Sequence, residues 1–334
     1  MSVSKLLSSA PLVFIALVGF GSLVLFEPTA KASALPPVLD QQGDVVEDGL
    51  VSLERVVLGG IEQKILIRGA NLEMPVLLFL HGGPGGAAMP WVDLFQTPRL
   101  EQNFIVVHWD QRGAGSSYSQ DLTVDDISPS KLVADALELT GLLRARFDKD
   151  KIFLVGQSWG SALGFLTITE DSAPFHAFVA ASERVNWERS FNMGYEWALN
   201  QARANGDSAV LEQLEAIAPF DAFDEADLMV QRRALDYYGA GNYHTEGLGE
   251  QYLNYAIEGK SPYYTMAEVQ GYIPGLELSS AAIEQAELLK EYDLFTMLPV
   301  VELPVHFITG AQDWNTPAEL VRESYEFRDA PAEC

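Results

Sequence analysis

The most informative part of the sequence reads KIFLVGQSWG from Lys151 to Gly160. Its apolar run has the length of a buried strand and leads directly into the pattern G-x-S-x-G. A strand that turns sharply into a helix at this pattern lifts the serine hydroxyl above the sheet, and the tight turn leaves no space for a Cβ at either glycine. The stretch therefore predicts a nucleophile elbow with Ser158 at its tip.

Two further loops follow strand-like runs. One reads HGGPG from His81 to Gly85 and comes after the run at 76–80, and the other reads DQRGAGSS from Asp110 to Ser117 and comes after the run at 104–109. Because the carboxyl ends of parallel strands meet at the same edge of a sheet, we expect the three loops to lie together. The sequence thus predicts one site built from loops at that edge.

Strand-like and helix-like segments alternate along much of the 334 residues, which favours one α/β core with an insertion over two domains. A hairpin is predicted at 51–58 and 61–68, an amphipathic helix at 129–147, and further strands at 175–181 and 305–309. The alternation indicates a mostly parallel sheet with helices on both faces.

The region from 183 to 296 is rich in Glu, Ala, Tyr and Trp and contains no strongly apolar strand. Since it lies between two strands of the predicted sheet, we interpret it as a helical cap inserted over the strand ends. The predicted core then comprises 51–182 and 297–334.

The charge balance limits the class of partner. The chain has 47 acidic and 21 basic residues, a formal net charge of -26, which repels nucleic acid phosphates. A nucleic acid partner is therefore not expected. The single cysteine, Cys334, excludes an intramolecular disulfide and a metal site built on cysteines, and no metal is predicted.

The N-terminal segment is typical of a targeting signal. Lys5 precedes a nearly uncharged apolar stretch at 6–26, and small-x-small patterns follow at Ala30–Ala32 and Ala32–Ala34. We predict a secretory signal peptide at 1–34 and a linker at 35–50. The alternative is an uncleaved anchor with membrane attachment through 6–26, because about 20 apolar residues can span a bilayer. In both cases the body is expected to be periplasmic or extracellular.

Acyl transfer on a serine requires a base, a group that orients the base, and donors for the developing oxyanion. The sequence assigns the nucleophile to Ser158 and the orienting carboxylate to Asp313, in the loop after the strand at 305–309; a solvated turn aspartate is the alternative. The backbone N–H of Trp159 and that of Gly82 or Gly83 are the predicted oxyanion donors. His81 is expected to shape its loop.

These motifs, together with Gly310-x-x-Asp313-x-x-Thr316-Pro317, resemble the α/β-hydrolase superfamily and specifically its proline iminopeptidase branch. The resemblance extends from about residue 51 onward and implies an eight-stranded sheet, a helical cap and no cofactor. It also implies release of an N-terminal residue, typically proline, from short peptides. Acidic cap residues would recognise the free amino group of the substrate, and Glu183, Glu188 and Glu196 are candidates, although each is also typical of a solvated helix face.

The resemblance places a histidine some two dozen residues after Asp313, whereas none of the five histidines follows that residue. His306 lies at the opposite end of its strand, about 20 Å from Asp313 at ~3.3 Å per residue. We therefore expect a C-terminally truncated hydrolase that lacks the last strand, the catalytic histidine and the closing helix. The alternatives are a non-catalytic pseudoenzyme or binding protein on the same fold, and an esterase or amidase with a non-peptide substrate.

Overall fold

The computed structural model describes residues 15–17, 23–25, 27–28, 35–94, 100–217, 225–241, 251, 254–256, 258–297 and 302–327. Its strands are β1 (Ile15–Leu17), β2 (Leu23–Leu25), β3 (Glu27–Pro28), β4 (Leu50–Leu58), β5 (Ile61–Gly69), β6 (Val76–Leu80), β7 (Ile105–Asp110), β8 (Ile152–Gln157), β9 (Phe175–Ala181) and β10 (Val305–Ile308). Its α-helices are α1 (Pro129–Phe147), α2 (Trp159–Glu170), α3 (Trp187–Asn205), α4 (Ser208–Glu215), α5 (Glu225–Tyr237), α6 (Met266–Gln285), α7 (Leu288–Glu291), α8 (Leu294–Met297) and α9 (Ala318–Phe327). Short 3-10 helices lie at Met89–Leu94, Leu100–Gln102, Gly115–Ser117 and Val124–Asp126.

The main sheet has the strand order β10-β9-β8-β6-β7-β5-β4-β3. The strands from β10 to β7 in this order pair in parallel, whereas β5, β4 and β3 continue the sheet antiparallel. The predicted fold class and hairpin are confirmed. The resemblance implied eight strands, and the sheet has eight only because it includes β3, which is two residues long.

The central strands explain why the sequence pattern was readable. Val76, Leu78 and Leu80 of β6 and Leu154 of β8 are fully buried, because helices cover both faces of the sheet. A strand buried on both faces appears in the sequence as a continuous apolar run. These runs therefore predicted the strands that carry the site loops.

Helix α1 has the predicted bounds and clear end signals. The hydroxyl of Ser128 caps its first turn by accepting the N–H of Lys131, Pro129 occupies the first helical position, and Asp148 ends it in a left-handed conformation. Leu139 and Leu143 are fully buried on the face that packs into the core. The helix thus packs against the sheet and leads into β8, the strand that ends at the elbow.

Helices α3 to α8 lie between β9 and β10 and occupy the region predicted as the cap. Within the described part of 183–296, strand pairing is limited to one isolated bridge between Asn186 and Asp293. This bridge brings the two ends of the inserted region together. Trp197 of α3 stacks on Trp314 at 5.6 Å between ring centroids, so the cap also contacts the loop that contains Asp313.

The segment at 35–50, predicted as a linker, is packed against the sheet. Leu35 and Val38 are buried, and the guanidinium of Arg68 donates to the carbonyl oxygens of Pro36 and Pro37. These apolar side chains and backbone carbonyls find tertiary partners that no local pattern in the sequence shows. The predicted leader at 1–34 lies mostly outside the described residues, apart from the backbone of β1 to β3. Across the described ranges, no helix is both long and apolar enough to cross a bilayer.

Candidate active site

Ser158 stands at the sharp turn between β8 and α2. Its backbone has φ 54° and ψ -118°, a left-handed φ that is strained for a residue with a Cβ. The turn is held on both sides, because the N–H of Ser158 donates to the carbonyl oxygen of Ala181 at 2.9 Å and the hydroxyl of Ser161 donates to the carbonyl oxygen of Ser158 at 2.5 Å. The serine also precedes the first turn of α2, where the helix dipole favours negative charge.

The two glycines of the elbow are required by sterics. A Cβ on Gly156 would lie 2.2 Å from the carbonyl oxygen of Gly160, and a Cβ on Gly160 would lie 2.1 Å from the carbonyl oxygen of Leu80. Both contacts involve backbone atoms, which cannot rotate away. The tight turn therefore requires glycine at both positions, as the sequence predicted.

The loop after β6 brings its backbone next to the serine. A Cβ on Gly82 would lie 3.4 Å from the Cβ of Ser158, so the two residues are in direct proximity. Gly83 adopts φ 127°, a conformation that favours glycine. The backbone N–H groups of Gly82, Gly83 and Trp159 donate no hydrogen bond to any acceptor among the described residues. The unused donors of Gly82 and Trp159 therefore lie close to the serine, and that of Gly83 follows in the same loop.

His81 is held as a neutral ring inside its loop. A backbone N–H can only donate, so the N–H of Gln111 at 3.1 Å fixes Nε2 of His81 as an acceptor, and Nδ1 carries the proton that it donates to the carbonyl oxygen of Gly82 at 2.8 Å. Burial lowers the pKa of His81 from 6.5 to about 4. Both ring nitrogens are engaged, so the histidine shapes the loop next to Ser158.

Gln111 links the other two loops through its side chain. Its Nε2 donates to the carbonyl oxygen of His81 at 3.2 Å, and its Oε1 accepts the indole N–H of Trp159 at 3.1 Å. The side chain is buried, and the sequence analysis assigned no role to it. Its place in the DQRG motif was the only indication in the sequence that it belongs to the site. Its partners, His81 and Trp159, follow two other strands, so the sequence could not pair them with it.

Asp110 connects the core with the residues that precede α6. Its carboxylate accepts the N–H and the hydroxyl of Ser116 and the phenol of Tyr264. Burial raises the pKa of Asp110, although these hydrogen bonds and the charge of Lys64 oppose the shift. The next residue but one, Arg112, forms a buried ion pair with Asp135 of α1 through two hydrogen bonds of 2.7 and 2.8 Å. The DQRG loop is thus fixed at both ends.

Asp313 lies in the loop after β10, and its carboxylate is engaged within that loop. It accepts the backbone N–H groups of Asn315 and Thr316 at 2.9 and 2.8 Å and the hydroxyl of Thr316 at 2.6 Å. Arg184, which follows β9, donates to the side chain of Asn315 at 2.5 Å. Burial lowers the pKa of Arg184 to about 9, and the negative charges of Asp313 and Glu183 oppose this shift. Asp313 therefore lies within electrostatic range of a buried guanidinium.

The three acidic candidates for amino-group recognition have different environments. Glu183 lies two residues after the end of β9, is only 1% exposed and accepts the phenol of Tyr292 at 2.9 Å. Glu188 and Glu196 are exposed on α3. The described contacts do not bring any of the three against Ser158.

The histidines of the described residues do not reach Asp313 by a hydrogen bond. His108 lies within β7 and packs on the ring of Phe79 at 5.3 Å, and burial lowers its pKa to about 3. His176 lies in β9 and His306 in β10, where it pairs with Val179. His244 lies outside the described residues.

Comparison with known proteins agrees with the fold and the loop motifs. Residues 74–212 match the family of serine aminopeptidases S33 (Hydrolase_4). The chain is 27% identical over 281 residues to the probable aminopeptidase YbaC of Bacillus subtilis, a match that covers 84% of this chain and 86% of that protein. It is 25% identical over 247 residues to the proline iminopeptidase of Levilactobacillus brevis, covering 72% of this chain and 74% of that protein.

Solved structures show the same fold at lower identity. The proline iminopeptidase-related protein of Thermus thermophilus superimposes with a TM-score of 0.54 at 19% identity, over 85% of this chain and 89% of its own. The proline iminopeptidase of Mycobacterium smegmatis superimposes with a TM-score of 0.53 at 17% identity, over 85% of this chain and 89% of its own. The fold and the elbow define the chain as an enzyme of the α/β-hydrolase type. Within that superfamily its sequence is similar to serine aminopeptidases and proline iminopeptidases.

Proposed function

We propose that the protein is a serine hydrolase that releases the N-terminal residue, typically proline, from short peptides or related amides. The observation that carries this proposal is the position of Ser158, on a strained elbow next to the unused backbone N–H groups of Gly82 and Trp159. Besides a base, acyl transfer requires a nucleophilic hydroxyl and hydrogen-bond donors for the oxyanion, and the position of Ser158 supports both of these roles.

The reaction would proceed through an acyl-enzyme. The Oγ of Ser158 attacks the carbonyl carbon of the N-terminal residue and loses its proton to a base, and the carbonyl oxygen becomes an oxyanion. The N–H groups of Trp159 and of Gly82 or Gly83 stabilise that charge, and loss of one such donor typically costs about 10²–10³-fold in rate. The C–N bond then breaks, the departing amine takes the proton, and water releases the acyl group from Ser158.

In this proposal Asp313 orients the imidazole that acts as the base, in the way established for serine triads. Its carboxylate already accepts the N–H groups of Asn315 and Thr316, which fix its position in the loop. The buried guanidinium of Arg184 lies within electrostatic range of this carboxylate. Glu183, Glu188 and Glu196 remain candidates for binding the substrate's free amino group, and the buried Glu183 would meet it only after exchange of its contact with Tyr292.

Arylamide hydrolysis tests the proposal directly. Release of p-nitroaniline from proline p-nitroanilide is compared with that from the N-acetylated substrate and with cleavage of p-nitrophenyl acetate. We expect turnover of the free-amino substrate, none of the acetylated one, and loss of turnover in Ser158→Ala. A matched variant of an exposed serine, Ser130→Ala, is expected to behave as wild type. Preference for the acetate ester would instead support an esterase, and turnover that survives in Ser158→Ala would refute the nucleophile.

One observation favours a second function, ligand binding without turnover. In the described part of the chain no imidazole is hydrogen bonded to Asp313, so the group that would activate Ser158 is not in place there. Calorimetric binding of a prolyl peptide without hydrolysis, in wild type and in Ser158→Ala alike, would establish this function. Hydrolysis that depends on Ser158 would exclude it.

We also propose export through the N-terminal leader. Leu35 directly follows the second small-x-small pattern and is buried in the folded body, so cleavage after Ala34 would keep this packed segment and remove only the two-residue edge strand β3 from the main sheet. N-terminal sequencing of the mature protein from an expressing cell tests this. A start near Leu35 is expected, whereas an intact Met1 in the membrane fraction would support the anchor and an intact Met1 in the soluble fraction would contradict both.

A further inference from the structure

The side chain of Gln111 joins the two loops that supply the proposed oxyanion donors. Its amide is 2% exposed and has two partners, the carbonyl oxygen of His81 on one side and the indole N–H of Trp159 on the other. Its backbone N–H also donates to the ring of His81, which in turn donates to the carbonyl oxygen of Gly82. A continuous hydrogen-bonded path therefore runs from Trp159 through Gln111 to Gly82.

We propose that Gln111 is a positioning residue that sets the distance between the two arms of the oxyanion hole. This inference rests on the proposed function, because the donors matter only if a negative charge develops beside Ser158. One arm, the N–H of Trp159, belongs to α2, and the other belongs to the loop after β6. Gln111 itself belongs to the loop after β7. We call its side chain, with the hydrogen bonds to His81 and Trp159, the brace; it connects loops that follow three different strands.

Only an amide satisfies both partners at once. The indole of Trp159 needs an acceptor, and the carbonyl oxygen of His81 needs a donor. Leucine at position 111 would leave both groups buried without a partner, which weakens the packing of both loops. Glutamate would accept from the indole in both protonation states, but it could donate to His81 only when protonated.

The chain offers a matched control in Gln63. This glutamine is also fully buried and also accepts the indole N–H of a tryptophan, Trp109, at 2.9 Å. Its amide donates to Asp135 and to the carbonyl oxygen of Leu58, and none of these groups belongs to the elbow or to the loop after β6. Gln63→Leu therefore removes the same kind of hydrogen bonds while the contacts of Gln111 with His81 and Trp159 stay in place, although Asp135 also pairs with Arg112 next to Gln111.

The test is the rate at which a fluorophosphonate labels Ser158. The serine oxygen bonds to phosphorus, fluoride leaves, the serine proton passes to solvent, and the phosphoryl oxygen develops charge in the oxyanion hole. At a temperature at which all variants are folded, we expect Gln111→Leu to label at least about tenfold more slowly than wild type, since small displacements of catalytic groups have effects of this order or larger. Gln63→Leu is expected to label within about twofold of wild type despite a lower melting temperature, because the hydrogen bonds that join Gln111 to His81 and Trp159 remain.

Gln111→Glu adds a readout that a general loss of stability would not produce. Its labelling rate, relative to wild type at each pH, is expected to recover between about pH 8 and pH 5 as a buried carboxyl takes up its proton. His81, the titratable group next to it, stays neutral over this range because burial lowers its pKa to about 4. A rate ratio that does not change with pH would contradict the donor role of Gln111.

Hydrogen–deuterium exchange separates failure of the brace from failure of the proposed function. If wild type is not labelled on Ser158, the proposed hydrolase function fails, but the brace still predicts faster exchange at 81–86 and 156–162 in Gln111→Leu and unchanged exchange there in Gln63→Leu. If Gln111→Leu and Gln63→Leu have the same labelling rate and the same amide exchange at 81–86 and 156–162, the inference is overturned.

Discussion

A Cβ added to the second glycine of the elbow tests how the site is built. In Gly160→Ala the new methyl group would lie 2.1 Å from the carbonyl oxygen of Leu80, 2.6 Å from its carbonyl carbon and 2.7 Å from the carbonyl oxygen of His81. Real Cβ atoms almost never approach another heavy atom closer than 3.0 Å. All three neighbours are backbone atoms of β6 and its loop, so α2 itself must move away from the sheet.

The expected cost follows from the kind of contact. Overpacking a core costs typically about 1–3 kcal/mol, and we place this substitution near 3 kcal/mol because no side chain can rotate to relieve it. At about 2.1 cal/mol/K per residue, roughly 300 folded residues have an unfolding entropy of about 0.6 kcal/mol/K, so a cost near 3 kcal/mol predicts a fall in melting temperature of about 5 °C. The displacement should also move the N–H of Trp159 away from Ser158, so labelling of the serine should slow as well.

Gly141→Ala is the matched control. Gly141 lies inside α1, and a Cβ there would meet nothing within 4 Å. Alanine is favoured over glycine by roughly 0.5–1 kcal/mol in a helix interior, so this variant should melt slightly above wild type. The melting temperatures of wild type, Gly160→Ala and Gly141→Ala are compared by circular dichroism. A Gly160→Ala protein that melts with wild type and labels at the same rate would refute the packing described for the elbow.

Three further predictions concern stability. His81 and His108 stay neutral in the folded protein, with pKa values lowered by burial from 6.5 to about 4 and about 3. Between the folded and the unfolded pKa of each histidine the unfolded chain binds more protons, so the free energy of unfolding should decrease as the pH falls from 6.5 to about 4. In melts recorded from pH 7.5 to 4.5, His108→Phe should show a smaller decrease in melting temperature than wild type. Asp135→Ala should cost about 3–5 kcal/mol in urea unfolding, since it leaves the buried guanidinium of Arg112 without its carboxylate; a cost below about 1 kcal/mol would contradict the buried ion pair. Tyr264→Phe should lower stability and speed amide exchange at the start of α6, because it removes the donor to Asp110; unchanged exchange there would show that this contact does not hold the cap.

The sequence predicted those parts of the fold that depend on local pattern. The runs at 76–80 and 151–156 became β6 and β8 because strands buried on both faces must be apolar throughout, and α1 has its predicted bounds because Ser128 and Pro129 are strong start signals. The elbow was predictable for the same reason, since its glycines are demanded by backbone contacts at the tight turn.

Features that depend on distant partners were not predictable. In the sequence Gln111 is one polar residue in a loop. Its contacts with His81 and Trp159 depend on the packing of the loops after β6 and β8 against it. The packing of Leu35 and Val38 was missed because the neighbouring prolines indicate a linker. Likewise, no spacing in the sequence indicates that Arg184 lies within electrostatic range of Asp313 across two strands.

The central claim is that the elbow presents Ser158 as a nucleophile, and covalent labelling tests it most directly. The 334-residue protein is incubated with a fluorophosphonate, its intact mass is measured, and the modified residue is located by peptide mapping. We predict one adduct per chain on Ser158 and no adduct in Ser158→Ala, with circular dichroism spectra that coincide. Absence of an adduct on folded wild type, or an equal adduct on Ser158→Ala, would contradict the claim.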